Sequence, residues 1–481
     1  MDIRVVSLVV FFVLAVLFLK FYASHSYTKQ QPAPRLPPGP WQLPLIGCLH
    51  HFLLSRFRDL PHRAIHELSK TYGPLMLLRL GTVPTVVVSS AEVFMEMTKF
   101  HDVNFCSRHL SPTADIISCG GQNIAFSPYN ERWRELRKIC TLNLLSQRRV
   151  VQFRQVREDE VARLIQAITS ECSGGQPIDL GEKIVCMVNN TVVRAAIGGQ
   201  RCKHQDEFLH EIEHVFRLLG GFNLVDLYPS SKLIRWFSSS ARDIDRCQKR
   251  MYHILESVIQ ERATTVAAEQ DDDLLGVLLR LQKDGGMQFA LTNESISAVI
   301  FDIFSAGSDT SSYTLQWAIS ELIKNPRVLL KAQSEVRDTF KGQHVLTEDN
   351  MVKLSYMHMV IKETLRGSAV AVNVWAIGRD SKYWNTPEEF QPERFENSGI
   401  DFKGTDFEFV PFGAGRRICP GMALGLANME LALASLLYHF DWKLPAGVNN
   451  EELDMTEAFG LTIKRKSKIL LHGRRYISFS T

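Results

Sequence analysis

The order of apolar and polar positions divides the chain into a helical middle and small sheets near its two ends. Leu75–Leu80 and Pro84–Val88 are apolar runs on either side of a short Gly-Thr turn, which predicts a β-hairpin. Helical spacing then dominates as far as Lys324, and strand patterns return only after Arg366. The pattern predicts a mainly α-helical protein with small β-sheets.

One predicted helix is much longer than the others. It begins at Thr292 or Asn293 and ends at Asn325, directly before Pro326. About 32 residues at the α-helical rise give a length of roughly 48 Å, so this helix must cross the core. Its inward stripe, at spacings of three and four, consists of Ile296, Ile300, Ile303, Gly307, Thr310 and Thr314.

Two features of that stripe are unusual for a core helix. Gly307 costs the helix about 1 kcal/mol relative to alanine. Ser308, Asp309 and Thr310 place polar groups in mid-helix, where serine and threonine bond back to carbonyl groups and bend the helix. A widened turn that carries an alcohol and an acid would suit the binding of dioxygen and proton transfer to it. A bent helix without chemistry is the alternative.

A second chemical feature is the glycine-rich stretch 412–421, which surrounds Cys419 with two arginines and three glycines. Ala423–Leu437 is a predicted helix, and Pro420 falls near its first turn. The helix dipole and free N–H groups there favour thiolate over thiol, and the glycines allow a bulky group to approach. Such a thiolate suits the axial position of a haem iron. A buried structural cysteine is the alternative.

A helix pattern over Glu131–Leu142 carries Trp133 and Arg137 four residues apart, on one face. An indole N–H beside a guanidinium suits a carboxylate partner, such as a haem propionate. The same region is strongly basic, and this indicates either a solvated face or a docking patch for an acidic electron donor. The basic residues are Arg132, Arg134, Lys138, Arg148 and Arg149.

Composition limits the possible functions. The 481 residues are 45% hydrophobic, which is enough for a large core, and 55 basic against 52 acidic residues give a net charge of +3. This balance argues against a nucleic-acid-binding protein. Nine cysteines are scattered and never form C-x-x-C, which argues against a disulfide framework or a zinc site and for a reducing compartment.

The N-terminus is apolar. Val5–Leu19 together with 21–23 reaches about 19 residues and roughly 28 Å, just enough to span a bilayer. A cleaved secretory signal is the alternative. More basic residues follow the run than precede it, which predicts a cytoplasmic body. Five prolines between 32 and 40 form a stiff linker. We therefore expect an anchor over 1–23, a proline-rich hinge over 24–40 and one catalytic domain over 41–481.

The pattern F-x-x-G-x-R-x-C-x-G is matched at every position, and it resembles the haem-binding loop of the cytochrome P-450 superfamily. The matching residues are Phe412, Gly415, Arg417, Cys419 and Gly421. The resemblance implies a single helical haem domain in which Cys419 ligates the iron of haem b. It also implies that Phe412 shields the sulfur and that Arg417 pairs a propionate together with Trp133 and Arg137.

Three more motifs of that superfamily occur in the family's order along the chain. Ala306–Thr310 resembles the A-G-x-D-T oxygen-activation motif, which implies that Thr310 holds the oxygen and that Asp309 feeds a proton relay. E-x-x-R and P-E-R-F are matched by Glu363, Arg366 and Arg394. An i,i+3 pair of charges is usually exposed and contributes little, but the resemblance implies a buried network that locks the loop behind the haem.

The sequences of Val372–Asp380 and Asp406–Pro411 are similar to those of the plant microsomal branch of the superfamily. More narrowly, they are similar to those of grass enzymes that oxidise terpenoids in defence metabolism. This implies an NADPH-driven monooxygenase on the endoplasmic reticulum membrane, anchored by a single pass and facing the cytoplasm. Electrons would come from a flavin reductase, since the chain lacks a G-x-G-x-x-G fingerprint.

The expected pocket walls suit an apolar substrate such as a terpenoid, with an indole or a phenylpropanoid as alternatives. They are Phe301, Phe304, Ala306 and Phe459, the last by resemblance only.

The chain departs from the family directly after Arg366. Relatives continue with a proline-rich turn, a strand over the haem and a hairpin, whereas only Gly367 to Ala371 precede Val372–Asp380 here. Five residues span at most about 18 Å, which is too short for these elements. By comparison with relatives, about thirty residues are missing and one wall of the pocket is absent. A splice product, a wrong gene model and a degenerate copy are the alternative origins. Two functions are alternatives to the monooxygenase: a haem-binding protein without turnover, and a haem-thiolate isomerase or dehydratase.

Overall fold

The computed structural model describes residues 36–198, 204–220, 222–265, 273–285, 287–367 and 373–476. The chain divides into two compact units, Met1–Ser89 and Ser90–Thr481. The expected membrane anchor and the first part of the expected hinge lie outside the described residues. Among the residues that are described, no helix is both long enough and apolar enough to cross a membrane.

The first unit contains the predicted hairpin. Its strands are β1 (Leu75–Leu80) and β2 (Val83–Val88), which pair antiparallel, and its helices are α1 (Leu49–Leu53) and α2 (Pro61–Tyr72). Met76 and Leu78 alternate into a small core because successive strand residues point to opposite faces. The Leu77 N–H donates to the Pro38 carbonyl oxygen at 2.8 Å, so the end of the expected hinge is tied to the hairpin.

The second unit is mainly helical. Its helices are α3 (Ala91–Lys99), α4 (Asp102–Phe105), α5 (Pro112–Ile117), α6 (Glu131–Cys140), α7 (Gln147–Gln152), α8 (Arg154–Cys172), α9 (Leu180–Ile197), α10 (Gln205–Leu218), α11 (Leu224–Leu227), α12 (Lys232–Phe237), α13 (Ser239–Thr265), α14 (Leu274–Asp284), α15 (Asn293–Lys324), α16 (Pro326–Thr339), α17 (Ser355–Gly367), α18 (Val374–Ile377) and α19 (Met422–His439). Short 3₁₀ turns cover Glu348–Lys353, Pro392–Phe395, Gly415–Arg417 and Asn450–Glu452. A mainly helical protein with small sheets is confirmed.

The strands of the second unit form two small antiparallel sheets. One sheet has the order β3 (Ile178–Asp179), β7 (Leu470–Arg475), β4 (Phe440–Lys443). The other pairs β5 (Glu457–Ala458) with β6 (Lys464–Arg465). The four C-terminal strands follow the predicted return of strand patterns. β3 does not, because two residues are too short to show an alternating pattern and only pairing with β7 makes them a strand.

The long helix α15 has the predicted bounds. The Thr292 side chain caps it by accepting from the Ser295 N–H at 3.1 Å, and it ends one residue before Asn325. It is continuous α-helix throughout, so the expected widened turn at 306–310 is wrong. Gly307 has a packing role instead, since a Cβ there would lie 3.1 Å from both terminal carbons of the Val192 side chain on α9.

The irregularity predicted for α15 occurs instead at the end of α6. That helix is regular from Glu131 to Cys140 and then widens into a π-helical turn over Thr141–Leu145. The predicted helix to Leu142 therefore has the right start and a different end. The Asn130 side chain fixes the start by accepting from the Trp133 N–H at 2.8 Å.

Candidate active site

The cysteine loop is closed by its own backbone. The Cys419 N–H donates to the Phe412 carbonyl oxygen at 2.8 Å, which folds the residues between them into a compact turn. Gly413 and Gly415 have φ angles of 71° and 64°, in the left-handed region that favours glycine. A Cβ on Gly415 would also lie 2.9 Å from an oxygen of Asp102, so the loop requires glycine there.

The sulfur of Cys419 lies just before the N-terminus of α19. The N–H groups of Gly421 and Met422 donate hydrogen bonds to it, as expected for free amides at the start of a helix. Burial nevertheless outweighs these bonds and the charges of Arg137 and Arg108, and it raises the pKa of the Cys419 thiol. The amides at the helix terminus therefore favour thiolate, as expected, but burial outweighs them in the protein without metal. A coordinated metal ion would deprotonate the thiol itself.

The expected propionate donors form one cluster. The guanidinium carbons of Arg417 and Arg137 lie 4.2 Å and 5.3 Å from the ring centroid of Trp133, which is buried. Trp133 Nε1 donates to the Ile124 carbonyl oxygen at 3.0 Å, and Arg137 donates to the carbonyl of Ile418 in the cysteine loop. The structure therefore brings these three side chains together beside Cys419.

The Arg417 guanidinium is hydrogen-bonded to backbone carbonyls and does not point into an open binding position. Its guanidinium donates to Cys106 O and Ser127 O, both at 2.6 Å, and to Ile124 O at 3.3 Å. Burial lowers the pKa of Arg417 to about 10. Trp133 would have to exchange its carbonyl partner for a carboxylate in order to bind a propionate, because an indole has one N–H. Arg137 and Arg417 use only part of their five N–H donors, and their propionate role stays a prediction.

Arg108 is a candidate that sequence reasoning missed. Arg108 is exposed and interacts electrostatically with both Cys419 and Asp302. Among the described residues it has no hydrogen-bond or ion-pair partner. Arg108 is thus a guanidinium near the cysteine whose donors are all available for an anionic group. It lies in a stretch without helical or strand period, where only its charge was a signal.

A buried carboxylate on α15 fixes the segment that carries these carbonyls. Asp302 accepts from Asn123 Nδ2 and the Ile124 N–H at 2.7 Å and from the Ala125 N–H at 2.8 Å. Ile124 therefore links two helices: its N–H donates to Asp302 of α15, and its carbonyl oxygen accepts from Trp133 of α6. Sequence analysis gave no sign of this role, because an aspartate in an apolar helix pattern does not reveal its partners.

The accessible part of α15 is the turn around Thr310. Ala306 and Thr310 are exposed although most of the helix is buried, and Thr310 Oγ1 donates back to Ala306 O at 2.7 Å. One residue further, Ser311 meets the first turn of α19, where a Cβ on Gly425 would lie 3.4 Å from its hydroxyl. An open face of α15 thus lies close to the helix that follows the cysteine.

Asp309 points into the protein. Its Oδ2 accepts from Thr462 Oγ1 at 2.7 Å, and the Tyr313 hydroxyl is a second hydrogen-bond partner. Burial raises the pKa of Asp309 to about 6, close to the range in which a carboxyl group can both hold and release a proton. Thr462 and Tyr313 are partners that the sequence did not reveal.

The expected pocket walls do not form one surface. Phe301 and Phe304 are each only 1% exposed, and Phe304 packs edge-to-face on Phe208 of α10 with ring centroids 5.7 Å apart. Ala306 is exposed, and Phe459 is partly exposed. Two of the four residues therefore have surface available to a substrate, and the two phenylalanines of α15 belong to the core.

The predicted charge network is assembled and buried. Both oxygens of Glu363 accept from Arg366 at 2.9 Å, and one of them also accepts from Arg394 at 3.1 Å. The three side chains are 0 to 8% exposed. Arg366 donates further to the carbonyls of Gly378 and Pro387, so the network holds the chain on the far side of the short connection.

The connection after Arg366 is short. α17 ends at Gly367, the described chain resumes at Asn373, and α18 begins one residue later. A Cβ on Gly378 would lie 2.6 Å from the Arg366 carbonyl oxygen, so the two segments approach as closely as glycine allows. The strand and hairpin expected of relatives have no counterpart between these described ends.

The family model for cytochrome P450 matches residues 37–367 and 366–471. This chain is a cytochrome P450. It is 45% identical to dolabradiene monooxygenase of Zea mays, with 93% of this chain and 94% of the relative aligned, and 44% identical to ent-isokaurene C2/C3-hydroxylase of Oryza sativa subsp. japonica with the same coverage. It is 42% identical to 5-epiaristolochene 1,3-dihydroxylase of Nicotiana tabacum, with 97% of each chain aligned. The chain is accordingly a cytochrome P450 monooxygenase.

The comparisons also bear on the shortened connection. The two stretches matched by the P450 model meet at residues 366–367, where the sequence departs from the family. The alignment with the maize enzyme extends over 478 residues, yet 93% of the 481 residues here is about 447, which leaves about thirty positions facing a gap. Both observations agree with a segment missing after Arg366.

The residues present fit the haem that a P450 carries. Cys419 offers a sulfur that accepts two amide N–H groups, Arg108 offers free donors beside it, and Thr310 faces accessible space. When bound, the haem iron with its thiolate supplies the activation of dioxygen. The chain's own part would be to hold the sulfur, neutralise the propionates and present a hydroxyl and a buried acid.

Proposed function

We propose that this P450 is a haem-thiolate monooxygenase that inserts one oxygen atom into an apolar small molecule of the terpenoid class, with electrons from NADPH. The observation that carries the proposal is the position of Cys419. Its sulfur lies at the start of α19, whose first turn packs on α15 beside the exposed Thr310. The named maize, rice and tobacco relatives support the substrate class, since their names refer to terpenoid substrates.

The protein groups have separate roles in this proposal. Arg108 would pair a propionate, and the amides of Gly421 and Met422 would hold the ligated sulfur by accepting part of its charge. Thr310 would bind oxygen through its hydroxyl. Asp309, with its raised pKa, would hold a proton on the side of α15 that faces Thr462.

The proposed electron donor is a membrane-bound flavin reductase on the endoplasmic reticulum. Three of the five basic residues near α6 are exposed, namely Arg134, Lys138 and Arg148. Arg132 instead donates to Gln122 and to Ser295 at 2.7 Å, and Arg149 donates to the Asn143 carbonyl at 2.8 Å. A smaller patch than expected therefore remains for an acidic partner, whose approach would weaken as salt increases.

The test begins with the haem site and continues to turnover. Reduced protein treated with carbon monoxide should give a thiolate-type Soret band. NADPH consumption and product formation with a P450 reductase should then follow when terpenes are supplied, in preference to indoles or phenylpropanoids. A missing Soret band would contradict the haem site, whereas a normal band with no terpene product would contradict only the substrate class.

A second candidate function follows from the short connection after Arg366. The haem-binding residues and the Glu363 network are assembled, but the segment that relatives place over the haem is absent. This favours a haem-binding protein with little turnover. A normal carbon monoxide band, with NADPH consumed but no organic product formed from any apolar substrate, would support this candidate over the first.

A further inference from the structure

A second cluster of metal-ligand side chains lies between α10 and α13, away from the residues assigned to the haem. Glu211 and His214 are three residues apart on one face of α10, and Cys247 of α13 approaches both. One ligand atom from each residue lies within 4.8 Å of the others. Glu211 and Cys247 are buried and His214 is partly exposed, so the cluster is open to solvent on one side.

We infer that Glu211, His214 and Cys247 form a binding site for a borderline-soft divalent cation, with Zn²⁺ the best match. Thiolate, imidazole and carboxylate are the three ligand types that zinc prefers. The fourth position would face the open side and carry water, as in sites with three protein ligands.

The separation of two of the ligand atoms supports this assignment. Zinc bonds of about 2.3 Å to sulfur and 2.0–2.1 Å to nitrogen place those atoms about 3.6 Å apart in a tetrahedron. Cys247 Sγ and His214 Nδ1 are 3.5 Å apart. The pair therefore needs almost no movement to accept the ion, although a thiol-to-imidazole hydrogen bond has a similar length.

Arg250 is the neighbour that decides how the carboxylate can bind. It donates to the two oxygens of Glu211 at 2.7 Å and 2.9 Å and to Cys247 Sγ at 3.6 Å, and its own side chain is 46% exposed. A carboxylate has about four lone-pair positions, so an oxygen can bind metal while Arg250 stays on it as an outer partner. Such outer hydrogen bonds are usual for ligating carboxylates.

Binding must also displace a proton. A free cysteine thiol is mostly protonated at neutral pH, whereas the zinc ligand is the thiolate. Zn²⁺ from solution would form its bond to sulfur as the S–H bond breaks, and the proton would pass to solvent. One proton should therefore be released for each zinc bound.

The functional consequence would be a cross-link between two helices. α10 and α13 are otherwise joined here by the Arg250–Glu211 ion pair and by apolar packing. Because zinc would bind only the folded arrangement, it should stabilise the protein in proportion to its concentration above the dissociation constant.

The experiment uses the full chain, dialysed against buffered Zn²⁺. We expect one zinc per chain, one proton released into weak buffer, and a rise in melting temperature. His214→Ala and Cys247→Ser should each lower the affinity at least tenfold and abolish the rise. Cys186→Ser, at an exposed cysteine, is the matched control and should bind as the parent does.

Two results would overturn the inference. One is a parent protein that retains no stoichiometric zinc. The other is zinc binding that persists unchanged in both variants, which would place the ion elsewhere. His214 is partly exposed, so His214→Ala should fold even if the buried Cys247 variant does not. None of these readouts depends on haem content or turnover.

Discussion

The cysteine loop and the connection after Arg366 differ in how completely they are built. Around Cys419, glycines occupy the left-handed positions, amides bond to the sulfur, and three cationic or indole side chains lie close by. After Arg366, the chain goes from α17 to α18 through a connection too short for a strand and a hairpin. The loop around Cys419 thus has its supporting contacts, whereas the connection after Arg366 is shorter than in the family.

This difference predicts that haem binding and substrate enclosure are separable in this P450. The Glu363–Arg366–Arg394 network borders the short connection but does not depend on the absent segment for its partners. The residues that would hold the haem also find their partners elsewhere in the chain.

The largest effect is expected at the complete region. Cys419→Ala should abolish the thiolate-type Soret band of the reduced carbon monoxide complex, because no other sulfur takes its place in the loop. The band is measured by difference spectroscopy. Cys186→Ser, at an exposed position, should leave the band intact. A band that survives in Cys419→Ala would remove the basis of the comparison.

The network between the two regions comes next. Arg366→Ala should lower the free energy of unfolding by about 3–5 kcal/mol, because Glu363 would remain buried without its bidentate partner. Arg327→Ala is the control, since this arginine is 67% exposed in its pair with Glu393 and should cost about 0–1 kcal/mol. Urea denaturation measures both. Equal losses in the two variants would mean that burial does not strengthen the network.

The reduced region can be tested by restoring it. Inserting the corresponding segment of the maize dolabradiene monooxygenase between Gly367 and Val372 should raise product formation at least tenfold, about 1.4 kcal/mol in the barrier. The Soret band should not change. A glycine–serine insert of equal length is the control and should bring no gain. Equal activity of both inserts would show that length rather than a specific wall is limiting.

The smallest effect concerns proton binding at Asp309. Its pKa is raised to about 6 in the folded protein, so its stabilising contribution is complete below the unfolded value and is lost as pH rises from about 4 to about 6. The advantage of the parent over Asp309→Asn should fall over this window by on the order of 1 kcal/mol. Urea titrations at several pH values measure it, with Asp245→Asn, at a more exposed carboxylate, as control. Parallel curves would argue against a titrating Asp309.

Much of the architecture could be predicted from local patterns. The start of α15 was predictable because the Thr292 side chain caps the first turn of the helix. Its end was predictable because Pro326 has no N–H to continue the helix. The glycines of the cysteine loop were informative because the left-handed backbone excludes most other residues. The Glu363–Arg366 contact was likewise expected, since three residues on a helix bring side chains together and the superfamily pattern supplied Arg394.

Local patterns were therefore enough to predict the long helix, the hairpin, the cysteine loop and the shortened connection, all of which depend on residues near one another in the chain. The partners of Asp309 and Arg417, the free donors of Arg108 and the burial of Phe301 emerge only when the chain is folded. The cluster at Cys247 belongs here too, since scattered cysteines had argued against any zinc site. The reason is physical: burial and hydrogen-bond partners are set by packing between distant segments, and no local pattern encodes them.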